Sequence, residues 1–284
     1  MGRVLLFGGS GQLGADIRRT WTDYTIVAPT RSDADVENVP AIIALLDAER
    51  PDLVINCTAF HHVERCEEQP ERAFAANALA VNRLAELCCA RDLRFVTFST
   101  DYVFSGDHSK PYVESDAPGP VNTYGVSKYA GEMLVLRLAM KAYVVRVCGL
   151  YGLRVSSSKG YTFIDRVIDQ ARNNERLRVV NDQTVSPTYT GHVAGALRRL
   201  VRTPVYGLYH MVNEGNVTWH EFATEVLEQA GLRVPIDAID SSAFASTARR
   251  PRYSALQNDR LATAGISMPT WRDGISAYLR DRVK

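Results

Sequence analysis

Thr100, Tyr124 and Lys128 are the side chains with the clearest means of doing chemistry. Tyr124-Gly125-Val126-Ser127-Lys128 sets a phenol and an ammonium four residues apart, on one face if the segment is helical. An ammonium close to a phenol favours the phenolate and lowers its pKa from about 10 towards working pH. Tyr124 then serves as proton donor to a developing alkoxide, and Lys128 is also able to reach a ribose hydroxyl. Thr100 follows the apolar run Phe95–Ser99 and offers a second hydrogen bond to the same oxygen, in the manner of an oxyanion site. By itself a Tyr-x-x-x-Lys spacing also decorates ordinary helix surfaces, so its meaning depends on what accompanies it.

A glycine string accompanies it. Gly8-Gly9-Ser10-Gly11-Gln12-Leu13-Gly14 lies between a strand-like run, Val4–Phe7, and a helix-like one, Gln12–Thr20. Glycines there permit positive φ and let the backbone approach a pyrophosphate, which then rests on the helix N-terminus. The position after the first strand of a βαβ unit distinguishes this string from a plain tight turn. Gly8, Ser10, Gly11, Gln12, Leu13 and Gly14 are the expected cofactor contacts, and the cofactor is NADPH or NADH. The acidic residue that bonds a ribose 2′-hydroxyl after the second strand is missing, and Thr30-Arg31-Ser32 stand there. Arg31 can accept a 2′-phosphate, which inclines the choice to NADPH; the alternative is a solvated surface arginine. Asp35 and Val36 are placed to border the adenine.

The elements that must hold these groups alternate as βαβ units on a parallel sheet. Expected strands are Val4–Phe7, Thr25–Ala28, Asp52–Asn56, Phe95–Ser99, Tyr143–Val147 and Leu208–Val212. Expected helices include Gln12–Thr20, Ala41–Glu49 with Pro40 in its first turn, a long one over Pro70–Arg91, and Tyr124–Met140. Ser105–Asn122 reads as a long functional loop. Later helices are Phe163–Arg172, Gly191–Val201 and one opened by the capping box Thr218-Trp219-His220-Glu221. Gly231–Tyr253 reads as irregular. The fold class is α/β, a Rossmann-type doubly wound parallel sheet over residues 1–150. Residues 151–284 form mainly a smaller substrate-binding lobe, with some segments returning to the core.

Composition narrows the function classes. The chain has 284 residues, 46% hydrophobic and 23% charged, enough for a sizeable core and too balanced for a disordered chain. A net charge of +1 gives no global field for nucleic acid or an anionic membrane, so an anionic ligand needs a local site. No apolar run reaches the ~18 residues of a membrane span, and the first residues lack a signal-peptide pattern. Five cysteines, odd in number and without metal-ligand spacing, point to a reducing, cytoplasmic setting. No heptad or long apolar surface helix declares an interface, which leaves monomer and homodimer open. No metal is expected: His61 and His62 are adjacent on an extended segment, point to opposite sides and have no partner motif. His61 is a candidate substrate contact because it lies next to Phe60.

With these motifs in chain order, the sequence resembles the extended short-chain dehydrogenase/reductase superfamily and, within it, the dTDP-4-dehydrorhamnose reductases. The likeness runs nearly end to end. It includes Phe7 to Gly14, Asn56-Cys57-Thr58-Ala59, Ser99-Thr100-Asp101-Tyr102-Val103-Phe104, Pro111-Tyr112-Val113-Glu114 and Asn122 to Lys128. It continues through Asn181-Asp182-Gln183, Ser186-Pro187-Thr188, Gly207-Leu208-Tyr209-His210 and Arg250-Pro251. The resemblance implies reduction of the C4 ketone of a nucleotide-linked 6-deoxyhexulose, with Tyr124 giving the proton. It implies that Thr58, Ala59 and Phe60 line the nicotinamide side and that Val63 and Tyr102 touch the sugar. Gln183, Pro187, Thr188 and Arg250 fall on the nucleotide diphosphate side, and a guanidinium fork suits phosphate oxygens.

Three departures lie on the substrate side. Where the family reads Arg-Thr-Ser-Trp-Val-Tyr-Gly, this chain has Arg146-Val147-Cys148-Gly149-Leu150-Tyr151-Gly152, so the tryptophan that would pack against the sugar is Gly149. The usual Asn-Phe is Thr162-Phe163, preceded by Ser156-Ser157-Ser158-Lys159-Gly160, which reads as flexible. The position next to the nicotinamide is Phe60, followed by the two histidines. A wider pocket at Gly149 is expected, and with it a different 4-keto sugar or stereochemistry. Two other readings stand beside the reductase. One is an epimerase or other extended-family activity, although Asp101-Tyr102 lacks the Asp-Glu pair of the dehydratases. The other is a non-catalytic dinucleotide-binding subunit, similar to the regulatory subunit of methionine adenosyltransferase.

Overall fold

A computed structural model describes residues 2–138, 141–154, 160–173, 176–244 and 246–283. The first half builds β1 (Arg3–Phe7), α1 (Gln12–Thr20), β2 (Thr25–Val27), α2 (Val39–Glu49), β3 (Leu53–Asn56), α3 (Val63–Glu68), α4 (Pro70–Phe74), α5 (Ala80–Cys89), β4 (Arg94–Thr100), α6 (Thr123–Leu136) and β5 (Ala142–Val147). The second half adds β6 (Leu150–Tyr151), α7 (Phe163–Arg172), β7 (Leu177–Val180), β8 (Thr184–Val185), β9 (Thr188–Tyr189), α8 (Thr190–Leu200), β10 (Gly207–His210), β11 (Val217–Thr218), α9 (Trp219–Gln229), β12 (Ile236–Ile239), α10 (Asp259–Thr263) and α11 (Trp271–Arg282).

Among the described residues, six parallel strands form one sheet in the order β10-β5-β4-β3-β1-β2. Its inner strands are buried on both faces, which is why they read as unbroken apolar runs. Alternate residues divide between two cores. Val4, Leu6, Ile55 and Val145 pack with α1 and α8, while Leu5, Phe7, Val54 and Val144 pack with α2 and α5. The chain order reverses at β1, with β2 on one side and β3 on the other. The crevice beyond the C-terminal ends of β1 and β3 is where such sheets bind ligands. This is a Rossmann-type doubly wound fold.

The C-terminal half has its own core, in which Ile164, Val167, Phe222, Ile275 and Tyr278 of α7, α9 and α11 pack together. Two of its segments return to the main body: β10 extends the sheet beside β5, and α8 packs on α1. The capping box of α9 forms, with Thr218 and Glu221 bonding each other's backbone N–H.

Two expectations change. The long helix over 70–91 is α4 and α5 joined by a π-helical turn at Ala75–Leu79. The irregular stretch 231–253 contains β12, which pairs in parallel with β7, and neither four-residue strand is long enough to declare itself by period. Of the serine-rich run before Tyr161, positions 156–159 lie outside the described residues. Among the described residues, no helix is long and apolar enough to cross a membrane.

Candidate active site

The glycine string forms a cradle at the mouth of the crevice. Gly11 donates its N–H to Gly8 O at 3.1 Å and caps α1 with no side-chain bond, so the first-turn N–H groups keep no local acceptor. No acidic residue stands in that first turn to oppose an anion. Gly14 packs so closely under the loop that a Cβ there would fall 2.2 Å from Gly8 O. An uncapped helix start over a backbone that admits no side chain fits a dinucleotide pyrophosphate. Ser10 is exposed, Gln12 partly buried and Leu13 buried beneath the cradle. Beyond β2, Arg31 is exposed and its Nε donates to Asp35 Oδ2 at 2.9 Å, and Val36 is partly buried behind them. Arg31 is therefore reachable by a 2′-phosphate, with Asp35 as its present partner.

Thr58, Ala59 and Phe60 continue from β3 and are fixed from both sides. Asn56 Oδ1 accepts from Thr58 N at 3.1 Å and Thr58 Oγ1 at 2.6 Å. Asn77 takes Phe60 N on its Oδ1 at 2.8 Å, and gives its Nδ2 protons to Phe60 O at 2.9 Å and Ser127 Oγ at 3.0 Å. One buried amide thus ties the Phe60 segment to the helix that carries Tyr124 and Lys128. The sequence reading missed Asn77, which sat inside an apparently regular helix. The π-turn that carries it is a feature frequent at functional sites, and it has no simple sequence signal.

Thr100 ends β4, and α6 brings Tyr124 and Lys128 beside it. Asn122 starts α6, its Oδ1 accepting from Gly125 N at 2.8 Å and its Nδ2 donating to Arg249 O at 2.8 Å. A buried two-pronged pair between Glu132 and Arg146, at 2.9 and 2.6 Å, locks the same helix to β5. Lys128 is buried and its Nζ donates to Phe98 O at 2.6 Å. Burial pulls its pKa down to about 8, against the opposing charge of Glu132.

The expected lowering of the Tyr124 pKa is corrected. Burial raises it, any negative charge on the nearby Asp101 would raise it further, and only the Thr100 hydroxyl beside it favours the phenolate. The lysine's charge is spent on the Phe98 carbonyl instead of on the phenol. Tyr124 is consequently a protonated phenol at neutral pH, the form a proton donor must have. The Tyr102 ring stands edge-on to it, with centroids 6.0 Å apart.

The whole chain carries a family signature: residues 2–283 match the model of the RmlD substrate binding domain. The chain belongs to the dTDP-4-dehydrorhamnose reductase family. It is 31% identical to the dTDP-4-dehydrorhamnose reductase of Aggregatibacter actinomycetemcomitans, over 96% of each chain. It is 33% identical to the dTDP-4-keto-6-deoxy-D-glucose reductase of Streptomyces niveus, over 93% of this chain and 92% of that one. Among solved structures, the Bacillus anthracis dTDP-4-dehydrorhamnose reductase in complex with NADP superposes with a TM-score of 0.93 at 32% identity, over 99% of each chain.

On the substrate side this reductase-family chain differs from what its sequence suggested. The space beside Gly149 is not open. A Cβ there would meet Trp219 Cη2 at 3.2 Å and Pro187 Cα at 3.2 Å. Trp219, the first residue of α9, is partly exposed and packs on Phe163 with centroids 4.9 Å apart. Pro187 is buried against Gly149. Thr188 is fully buried, with its hydroxyl donating to Ser186 O and accepting from Asn213 N, so it braces the loop and does not reach the cleft. Gln183 and Val63 are partly buried.

Arg250 is brought against Glu64 of α3 and also donates to Ser246 Oγ at 3.0 Å. Tyr102 faces Arg250, whose charge offsets part of the upward shift that burial and Asp101 impose on its phenol. Of the two histidines, His62 caps α3 and lies 3.4 Å from Glu64, while His61 Nδ1 lies 3.4 Å from Ala59 O.

Proposed function

We propose that the protein reduces the C4 ketone of a nucleotide-linked 4-keto-6-deoxyhexose, as a dTDP-4-dehydrorhamnose reductase of deoxysugar biosynthesis. The observation that carries this reading is the meeting of Thr100, protonated Tyr124 and buried Lys128 at the end of β4, beside the cradle after β1. When bound, the nicotinamide supplies the hydride. Gly8 to Gly14 would hold its pyrophosphate, Thr58 to Phe60 would flank the nicotinamide, and Asp35 and Val36 the adenine. Arg31 favours NADPH over NADH, since a 2′-phosphate would offer it a doubly charged alternative to Asp35. Tyr124 gives its proton to the oxygen at C4, and Thr100 steadies that oxygen with a second hydrogen bond. Lys128 supplies positive charge at the base of the site. Arg250 would bind the nucleotide diphosphate, which competes with Glu64 for the guanidinium, while Val63 and Tyr102 contact the sugar. The five cysteines, free thiols among the described residues, support a reducing cytoplasmic setting.

The test is oxidation of NADPH and of NADH, followed in parallel, by purified protein with dTDP-4-dehydro-L-rhamnose. Turnover to the 4-hydroxy sugar is expected, faster with NADPH. No turnover with this ketone or with other dTDP-4-keto-6-deoxyhexoses would overturn the reading.

Trp219 supplies a second expectation. If its ring stands in for the family tryptophan lost at Gly149, Trp219→Ala raises KM for the nucleotide sugar roughly tenfold, equivalent to about 1.4 kcal/mol. KM for NADPH stays within about twofold, because the neighbours of Trp219 are Gly149, Phe163 and Phe222. Equal sugar KM values in both proteins would remove Trp219 from the binding surface.

A further inference from the structure

We propose that Asp101 is a positioning residue that works as a neutral carboxylic acid, donating to Thr100 Oγ1 so that the Thr100 proton is free for the ketone oxygen. This rests on the ketoreductase reading above and adds a residue to its machinery. The argument begins with hydrogen-bond capacity. A threonine hydroxyl has one proton and two acceptor lone pairs. Tyr102 N–H fills one lone pair of Thr100 Oγ1 at 3.2 Å, and Asp101 Oδ1 lies 3.0 Å from the same oxygen. An ionised Asp101 can only accept, so it takes the Thr100 proton and leaves an oxygen that cannot donate to anything else. A protonated Asp101 fills the second lone pair instead and frees the Thr100 proton from the carboxylate, so that it can turn to the Tyr124 oxygen beside it or to the ketone oxygen. A developing alkoxide needs donors, so only the second arrangement lets Thr100 assist.

The surroundings of Asp101 favour the neutral form. The residue is buried, 4% exposed, and its Oδ2 accepts from Ser254 Oγ at 2.6 Å. Cys148 is a third neutral neighbour, a buried thiol held well above its usual range by burial. Among the described residues no lysine, arginine or histidine pairs with this carboxylate, and an unpaired buried charge is costly. Burial accordingly raises the Asp101 pKa, against the hydrogen bonds from Ser254, Cys148 and Thr100. The phenols of Tyr124 and Tyr102 face it as well, and a negative Asp101 raises both their pKa values. Tyr124 becomes a phenolate on giving up its proton, so an ionised Asp101 opposes the step that a neutral one permits. Arg250 is the cation facing Tyr102, and its ion-pair partner is Glu64.

Infrared difference spectroscopy of wild type against Asp101→Asn, at neutral pH and without cofactor, reads the protonation state directly. A protonated-carboxyl C=O stretch that disappears in the variant is expected; its absence from two folded proteins overturns the proposal. The amide of Asp101→Asn can still donate to Thr100 and accept from Ser254, so kcat should stay within about threefold of wild type. Asp101→Ala removes both and should cost kcat roughly tenfold or more at unchanged KM for NADPH. In a Thr100→Val background that cost should shrink below about twofold, because Asp101 acts through Thr100. Costs that simply add would mean a packing role and overturn the proposal. If wild type reduces no ketone, the ketoreductase reading fails, while the infrared band still decides whether Asp101 is protonated.

Discussion

Tyr124→Phe is expected to lower kcat by roughly two to four orders of magnitude, the range that a positioned general acid supplies. The variant removes one oxygen and keeps the ring that packs edge-on to Tyr102 at 6.0 Å. Lys128 is bonded to Phe98 O and not to the phenol, so its position survives the change. Melting temperature and NADPH affinity should therefore match wild type, and the loss should fall on kcat. The structure also explains why the neighbouring amine and thiols do not take over the proton. Lys128 is engaged with a carbonyl, and Cys57 and Cys148 hold their protons tightly because burial raises both thiols. Turnover with NADPH, thermal unfolding and cofactor titration on the two proteins check this. A loss below about tenfold would mean that the proton comes from elsewhere, and the assignment of Tyr124 would fall.

What could be read from the chain divides by the range of the interactions involved. The Gly8–Gly14 cradle, the inner strands and the Tyr124–Lys128 spacing are written in short stretches whose period or glycine placement states their conformation. Thr100 was found because it closes an apolar strand. Asn77 was not, because its value lies in contacts with Phe60 and Ser127, 17 and 50 residues away. Trp219 and Pro187 meet Gly149 only once residues far apart in the chain have been brought together. Ser254 reaches Asp101 across 153 positions. The direction of the Tyr124 shift was misjudged for the same reason. Spacing puts Lys128 on the right face, but the Phe98 carbonyl that holds its ammonium belongs to another element. Local pattern thus reports which groups are present, and tertiary packing decides what each of them is bonded to.

Packing is also what sets the distance between Thr100 and Tyr124, and Gly125 is where it can be perturbed. Alanine in place of glycine ordinarily stabilises a helix by up to ~1 kcal/mol. At Gly125 a Cβ would fall 2.1 Å from Tyr102 O and 3.0 Å from Pro120 Cβ. The helix cannot retreat to make room. Thr123 is bonded to Glu67 through its N–H at 2.7 Å and its hydroxyl at 2.6 Å, and Asn122 is bonded to Arg249 O. The strain must instead displace the Thr100–Tyr102 segment, whose Thr100 hydroxyl has to share an oxygen with Tyr124. Gly125→Ala is therefore expected to lower kcat on the order of 100-fold, the cost of misplacing reacting groups by about 1 Å. It should also destabilise the fold by about 1–3 kcal/mol, as overpacking does. Gly195→Ala in α8 is the matched control, because nothing beyond its chain neighbours and its own helix backbone lies within 4 Å of its Cβ position. That variant should keep full turnover with an equal or higher melting temperature. If Gly125→Ala turned over and melted like Gly195→Ala, the close approach of α6 to Tyr102 would not be what places the proton donor.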